Sequence, residues 1–169
     1  MITIRKAYSG DAELLNEMAY SSYTHHFSHL WHKHEDLQAF LSQEYSLSVL
    51  QQSLQSNTCS WFIAQDTNPV GFAKVSWHCS MGERGPVGTL LHKLYFLPGE
   101  TGKGYGETLF AEIVSMAQRR GETFLWLEVL DGNPQAYRFY IRQGLVHIED
   151  TIFSIATQLN TLHIMGKHI

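Results

Sequence analysis

Residues 89–110 read TLLHKLYFLPGETGKGYGETLF. The first nine are rich in large apolar side chains and are closed by Pro98, which predicts a buried strand over 89–97. From 106 to 120, Leu109, Phe110, Ile113, Val114 and Ala117 recur on one helical stripe. Arg119 and Arg120 suit the negative end of that helix dipole, and Gly121 suits a left-handed stop. Between strand and helix, Gly102, Gly104 and Gly106 stand at every second position. How such a loop is used decides the fold.

Two phosphate-binding templates fail on these letters. Gly99 to Gly104 has P-loop spacing, but Tyr105 stands where the lysine must be. Gly102 and Gly104 begin a dinucleotide fingerprint that Glu107 breaks. What remains is a strand end, a loop of small residues and a helix start. There the backbone N–H groups point outward together and the dipole adds roughly half a positive charge. Glycines let an anion approach the backbone closely, and Lys103 adds a formal charge. Gly106 falls in the first turn, where glycine costs about 0.5–1 kcal/mol, so a close contact should compensate, and a diphosphate is the candidate for it.

Outward from this loop the chain reads as strand 2–7, then a helix over 12–23 capped by Asp11, with Leu14, Leu15, Met18 and Ala19 on its apolar face. Helices near 36–43 and 46–55 follow, then a hairpin of 61–65 with 70–78 around Asn68-Pro69, and turn material over 81–88. Beyond the glycine helix come a buried strand 123–130, a helix capped by Asn133 with Pro134 at its first position and Gly144 at its end, and a strand pair 145–156 and 160–167. The order predicts one domain over 1–169, an α/β mixture of the α+β kind whose central sheet is mostly antiparallel.

The bulk numbers bound the function. With 169 residues, 44% hydrophobic and 17% charged, the chain has enough apolar mass for a single core. A net charge of −4 without a dense Lys/Arg block argues against nucleic-acid partners. No stretch approaches the length of a membrane span, and no leader pattern is visible. Cys59 and Cys79 match no metal or disulfide framework, which fits a reducing cytoplasm. Ten histidines include five in THHFSHLWHKHE, where His26/His29 and His29/His32 have helical i, i+3 spacing, but no carboxylate–histidine motif accompanies them. No metal is expected, and a histidine-rich metal-binding protein is the alternative this segment raises.

Thr101-Gly102-Lys103-Gly104-Tyr105-Gly106, following a strand, resembles motif A of the GCN5-related N-acetyltransferase (GNAT) family, Q/R-x-x-G-x-G/A, with Thr101 in place of Gln or Arg. NPQAYRFYIRQGL (133–145) is similar to the family's N-x-x-A-x-x-F-Y-x-x-x-G-F, with Leu145 in place of Phe. IRKAYSGDAELL resembles the first strand–helix unit, and residues 36–75 resemble the PaiA-like polyamine acetyltransferases.

The resemblance implies a GNAT fold, with strands 89–97 and 123–130 parallel and splayed at their C-terminal ends, flanked by helices. It implies acetyl-CoA as co-substrate. The pantetheine arm would lie along backbone groups of Phe96 and Leu97 and near Asn133, and the pyrophosphate on Gly102, Lys103, Gly104, Tyr105, Gly106 and Glu107. Tyr140 would protonate the coenzyme A sulfur; an unperturbed phenol, with a pKa of about 10, keeps its proton at neutral pH. Asn133 and Tyr140 are two helical turns apart, on one side of their helix. Glu128 could take the amine proton, with His92 on the neighbouring strand as its rival, and Trp31, Tyr45 and Trp77 could line an acceptor pocket. The implied reaction is N-acetylation of a small-molecule primary amine, such as the polyamine spermidine, by direct attack on the thioester. The alternatives are a protein or peptide acceptor, an antibiotic, and a non-catalytic acyl-CoA-binding module. A homodimer is compatible by analogy with the fold.

Overall fold

The computed structural model describes residues 1–155 and 158–169. Its elements in chain order are β1 (Thr3–Lys6), α1 (Ala12–Phe27), α2 (His34–Tyr45), α3 (Leu47–Leu54), β2 (Cys59–Gln65), β3 (Pro69–Ser80), β4 (Val87–Phe96), α4 (Tyr105–Arg119), β5 (Phe124–Leu130), α5 (Pro134–Arg142), β6 (Val146–Ile155) and β7 (Gln158–His168). The strand expected over 145–156 ends at Ile155, and Ala156 lies outside the described residues. Among the described residues no helix is long and apolar enough to cross a membrane.

The seven strands form one sheet in the order β1-β2-β3-β4-β5-β7-β6. β4 and β5 are its parallel pair, and the other neighbours run antiparallel. The expected mixed, mostly antiparallel sheet is present. Its two faces carry separate cores, because side chains alternate along each strand. Phe62, Ala73, Val75, Leu91, Leu125, Leu127 and Val129 pack with Leu109, Phe110, Ile113 and Ala117 of α4 and Tyr140 of α5. Trp61, Ile63 and Phe72 pack on the opposite face with Leu15 and Met18 of α1, Leu37 and Leu41 of α2 and Leu50 of α3.

Some local expectations are corrected. Asp11 does not cap α1 with its side chain. Its carboxylate accepts a two-pronged contact from Arg5, at 2.8 and 2.9 Å, and a bond from Tyr8 N, because a short 3-10 turn over Ser9–Asp11 precedes the helix. The first helix runs on through His25 and His26 to Phe27, so the histidine-rich segment is split between a helix end, a second 3-10 turn and the start of α2. Gly121 and Gly144 take the expected left-handed conformation after their helices.

Candidate active site

The site begins where β4 and β5 part. They pair through Thr89↔Leu125, Leu90↔Trp126 and Leu91↔Leu127 and no further. Each strand continues: β4 stays paired with β3 as far as Phe96↔Gly71, and β5 with β7 as far as Leu130↔Leu162. The cause lies one residue past the last shared pair. Lys74 opposes Lys93 while Val75 opposes Leu91, so His92 is an extra residue in β4. Such a bulge bends its strand and increases the local twist. β4 swings away from β5, and the sheet opens into a wedge.

Above the wedge the glycine loop leads into α4. Gly102 and Gly104 have φ of 75° and 79°, and a Cβ at either would meet nothing within 4 Å. Glycine is demanded here by backbone conformation rather than by crowding. Gly104 is the residue before α4, and no side chain caps the helix. The first turn closes with Thr108 N donating to Gly104 O, so the amides of Tyr105, Gly106 and Glu107 have no partner within the helix. By contrast, Ser46 caps α3 and Asn133 caps α5. The loop is braced within itself, with Lys103 Nζ 3.0 Å from Glu100 Oε2, and tied to the β2–β3 turn, where Tyr105 donates its hydroxyl to Asp66 Oδ2 at 2.6 Å. Gly106 differs from the other two. Its close neighbour is the ring of Phe139, 3.4 Å from a built Cβ, so protein packing supplies there the contact expected from a diphosphate.

Phe96 and Leu97 do not act as an equal pair. Leu97 N donates to Val70 O, and its carbonyl accepts from Glu100 N, so its N–H is spent within the chain and its carbonyl is half used. What Leu97 keeps for a ligand is the second lone pair of its carbonyl. Strand alternation turns the edges of Leu94 and Phe96 to the side β5 has left. There the Phe96 carbonyl lies 3.0 Å from His26 Nε2 at the end of α1.

Asn133 follows the end of β5, its backbone amide donating to Leu130 O, and Tyr140 lies two turns further along α5. Asn133 Oδ1 accepts from Ala136 N at 3.2 Å, which leaves its amide N–H₂ for a ligand. Tyr140 is buried against Phe110 and Phe139, with ring centroids 6.1 and 5.2 Å away. Burial pushes its phenol above the ordinary range, so the proton stays on oxygen at physiological pH.

Glu128 and His92 are each the first residue beyond the last paired couple, Leu127 and Leu91, and so they stand on facing strands at the fork of the wedge. Burial pushes the Glu128 carboxyl up. His92 is pushed down to about 4 by burial and by the charges of Lys74 and Lys93, against an opposing effect of Glu44. It is therefore a neutral imidazole at pH 7, with Nε2 2.6 Å from Ser76 Oγ. Lys93, buried on the same face, lies 3.0 Å from Glu44 Oε1 and 4.8 Å over the Tyr45 ring. Burial pulls Glu44 upward, but Lys93, through its charge and its hydrogen bond, and Lys74 hold it below its usual range. Sequence reading missed Glu44, Ser76, Lys93 and Tyr95 here; only the sheet brings them together. Burial raises the Tyr95 phenol, with Tyr23, Tyr140 and Glu44 adding to the effect.

Of the three aromatics expected to line an acceptor pocket, two are on this face. Trp31 Nε1 donates to Tyr23 OH at 3.3 Å, and Tyr45 is fully buried. Trp77 is not with them. It packs on the α4 face, donates Nε1 to Ser60 Oγ at 2.9 Å and lies under Arg120. Parity explains this: Phe72, Lys74 and Ser76 share one face of β3, while Ala73, Val75 and Trp77 share the other.

Comparison with known proteins agrees with this architecture. A model described as the acetyltransferase (GNAT) family matches residues 16–145. The chain is 33% identical over 82 residues to a streptothricin acetyltransferase of Streptomyces lavendulae, a match spanning 48% of this chain and 41% of that relative. Among solved structures, PaiA N-acetyltransferase from Thermoplasma acidophilum, in complex with coenzyme A, is similar at a TM-score of 0.80 and 25% identity, over 100% of this chain and 99% of that one. Mutant forms of the spermidine/spermine N-acetyltransferase SpeG from Vibrio cholerae share the fold at a TM-score of 0.68 and 18% identity, over 99% and 95% of the two chains. A family model covering most of the chain, on a sheet that parts between β4 and β5 beneath an uncapped helix start, shows that this protein belongs to the acetyltransferase (GNAT) family, enzymes that draw their acetyl group from acetyl-CoA.

Proposed function

We propose that this protein transfers the acetyl group of acetyl-CoA to a primary amine by direct attack on the thioester. The observation that carries the reading is the uncapped start of α4, where Gly106 neighbours Phe139 of α5 and Phe96 at the end of β4 that β5 has left. The amides of Tyr105, Gly106 and Glu107, with the helix dipole behind them, suit the pyrophosphate. The parted edge of β4 at Phe96 and the amide of Asn133 suit the pantetheine arm. The amine nitrogen bonds to the thioester carbon, and the C–S bond breaks. Tyr140 donates its hydroxyl hydrogen to the departing sulfur, and Glu128 accepts the amine's proton. His92, neutral and at the facing position, is the rival acceptor.

A polyamine such as spermidine is the acceptor favoured by the likeness to SpeG and by the resemblance of residues 36–75 to the polyamine branch. Lys93 neutralises Glu44, so Glu128 is the carboxylate left to hold an ammonium. A second reading rests on Lys74, which lies 5.4 Å over the Trp61 ring and has no ion-pair partner among the described residues. It suits an acceptor bearing an acidic group beside its amine.

Thiol release from acetyl-CoA over a panel of polyamines, amino acids and aminoglycoside-type amines tests both readings. Tyr140→Phe is expected to lower turnover at least about tenfold, a floor set below the roughly 10²–10⁴-fold of general-acid effects, while coenzyme A still binds. Equal turnover in that variant removes Tyr140 from the reaction. No thiol release with any amine, despite coenzyme binding, overturns the transferase reading in favour of a binding module.

A further inference from the structure

The C-terminal hairpin carries a group of side chains that acetyl transfer does not use. His147 and Asp150 lie on β6, and His163 lies on β7. Three apart on a regular strand, His147 and Asp150 would point to opposite faces. The register shift between His147 and Glu149 makes Ile148 an extra residue. His147, opposite Met165, and Asp150, opposite His163, therefore share one face. Met165 belongs to the core beneath α4 and α5, so that face is the one α5 covers.

There the side chains converge. Asp150 Oδ1 accepts from His147 Nε2 and from His163 Nδ1, each at 2.7 Å. One ligand atom from each of the three residues lies within 4.8 Å of the other two. On the far side of the His163 ring, Nε2 stands 2.9 Å from Asp131 Oδ1. Once Nδ1 gives up the hydrogen it shares with Asp150, a carboxylate in that place keeps the remaining proton on Nε2 and leaves the Nδ1 lone pair facing inward, the arrangement that orients metal-bound histidines. The Tyr137 ring packs edge-on against His163 at 5.4 Å and steadies its plane.

We propose that His147 Nε2, Asp150 Oδ1 and His163 Nδ1 form a binding site for a zinc ion, with Asp131 as the outer carboxylate and a fourth position open to water. The donor set argues for the metal. Two imidazoles and one carboxylate suit zinc, whereas calcium and magnesium take oxygen ligands. Ligand bonds of about 2.0–2.1 Å at tetrahedral angles put neighbouring donor atoms about 3.3 Å apart. Reaching that spacing means opening the two 2.7 Å hydrogen bonds by roughly 0.6 Å and setting the two ring nitrogens, which lie within 4.8 Å of each other, at the same separation, with the side chains already on one face. Binding replaces the hydrogens shared with Asp150, so it releases protons. The rival state is a purely hydrogen-bonded bridge, with the His163 ring held between Asp150 and Asp131.

The site is structural in its reach. Asp131 lies in the turn after β5, where its amide donates to Thr161 O, and two residues later Asn133 caps the helix that carries Tyr140. A zinc ion would join the β6–β7 hairpin to that turn.

Calorimetric titration of the untagged, chelator-treated full chain with zinc chloride tests the proposal, alongside a coenzyme A titration to show that each variant is folded. A single saturable site is expected, with an accompanying rise in thermal midpoint. His163→Ala should weaken zinc binding at least tenfold. Asp131→Asn should weaken it about 10- to 100-fold, as outer-shell changes do, while leaving the stoichiometry intact. A double variant, His29→Ala with His32→Ala, should bind zinc as the parent does. The proposal is overturned if the parent protein shows no saturable zinc heat. It is equally overturned if zinc binding survives His163→Ala but is lost with His29 and His32, which would move the metal to the segment around α1 and α2.

Discussion

Gly104 and Gly106 sit two residues apart in the same loop, yet the structure assigns them opposite sensitivities. Gly104 has a φ of 79°, where an L side chain costs roughly 1–2 kcal/mol, and the space around it is open. Gly104→Ala therefore acts through the backbone alone. If the loop holds its shape, the cost appears as lost stability. If the loop relaxes toward negative φ, the amides at the start of α4 turn away, and the same cost appears as weaker coenzyme binding. Converted wholly into affinity, 1–2 kcal/mol weakens the dissociation constant about five- to thirtyfold. Gly106 is helical, and a methyl group there reaches the Phe139 ring at 3.4 Å, an ordinary contact. Gly106→Ala should leave coenzyme A affinity within about twofold and stability unchanged or higher, since alanine is worth up to about 1 kcal/mol over glycine in a helix. Gly104→Asn should fall between the parent and Gly104→Ala, because asparagine tolerates the left-handed region. Calorimetry with coenzyme A and thermal denaturation of the same samples capture both outlets. Gly104→Ala with parental affinity and stability, or Gly106→Ala with a tenfold loss of affinity, would refute the reasoning.

Two further outcomes are open to direct measurement. At Gly88 an added Cβ would stand 2.1 Å from Phe124 O, at the start of the parallel pair, so Gly88→Ala should destabilise by roughly 1–3 kcal/mol and lower the thermal midpoint by about 2–4 °C per kcal/mol; an unchanged midpoint would contradict the packing there. His92 has a folded pKa near 4, below the unfolded value of 6.5, so between these the unfolded chain binds more protons and the contribution of this group to stability rises with pH. His92→Gln should flatten the slope of stability against pH between about 4 and 6.5, which denaturant titrations across that range would register; an unchanged slope would mean His92 titrates normally.

Much of the architecture was legible because it is written in local periodicity. The α4 stripe from Leu109 to Ala117, the Asn133-Pro134 start of α5 and the apolar runs of β4 and β5 all appear where their spacing puts them. The active-site wedge was not legible from spacing, because TLLHKLYFL reads as an unbroken strand. Only the opposing strand shows that His92 is surplus to the ladder. The same holds for His147 and Asp150, whose separation looks unpromising until the register shift at Ile148 is known. The cap assigned to Asp11 failed for a different reason: Arg5, six residues earlier, competes for the carboxylate. The face of Trp77 was recoverable, since counting in twos from Phe72 puts it on the other side of the sheet from the acceptor-side residues.

One residue in β4 separates an open sheet from a closed one. With His92 removed, Leu91 and Lys93 would become consecutive rungs against Val75 and Lys74, and every later side chain would keep the side of the sheet it already occupies. Nothing in the oily layers would register the change. The two central strands could then run on side by side, sealing the entrance. In this fold the room for a co-substrate is a matter of chain length at one position, so a shortened descendant could lose its catalytic opening while its interior stayed sound.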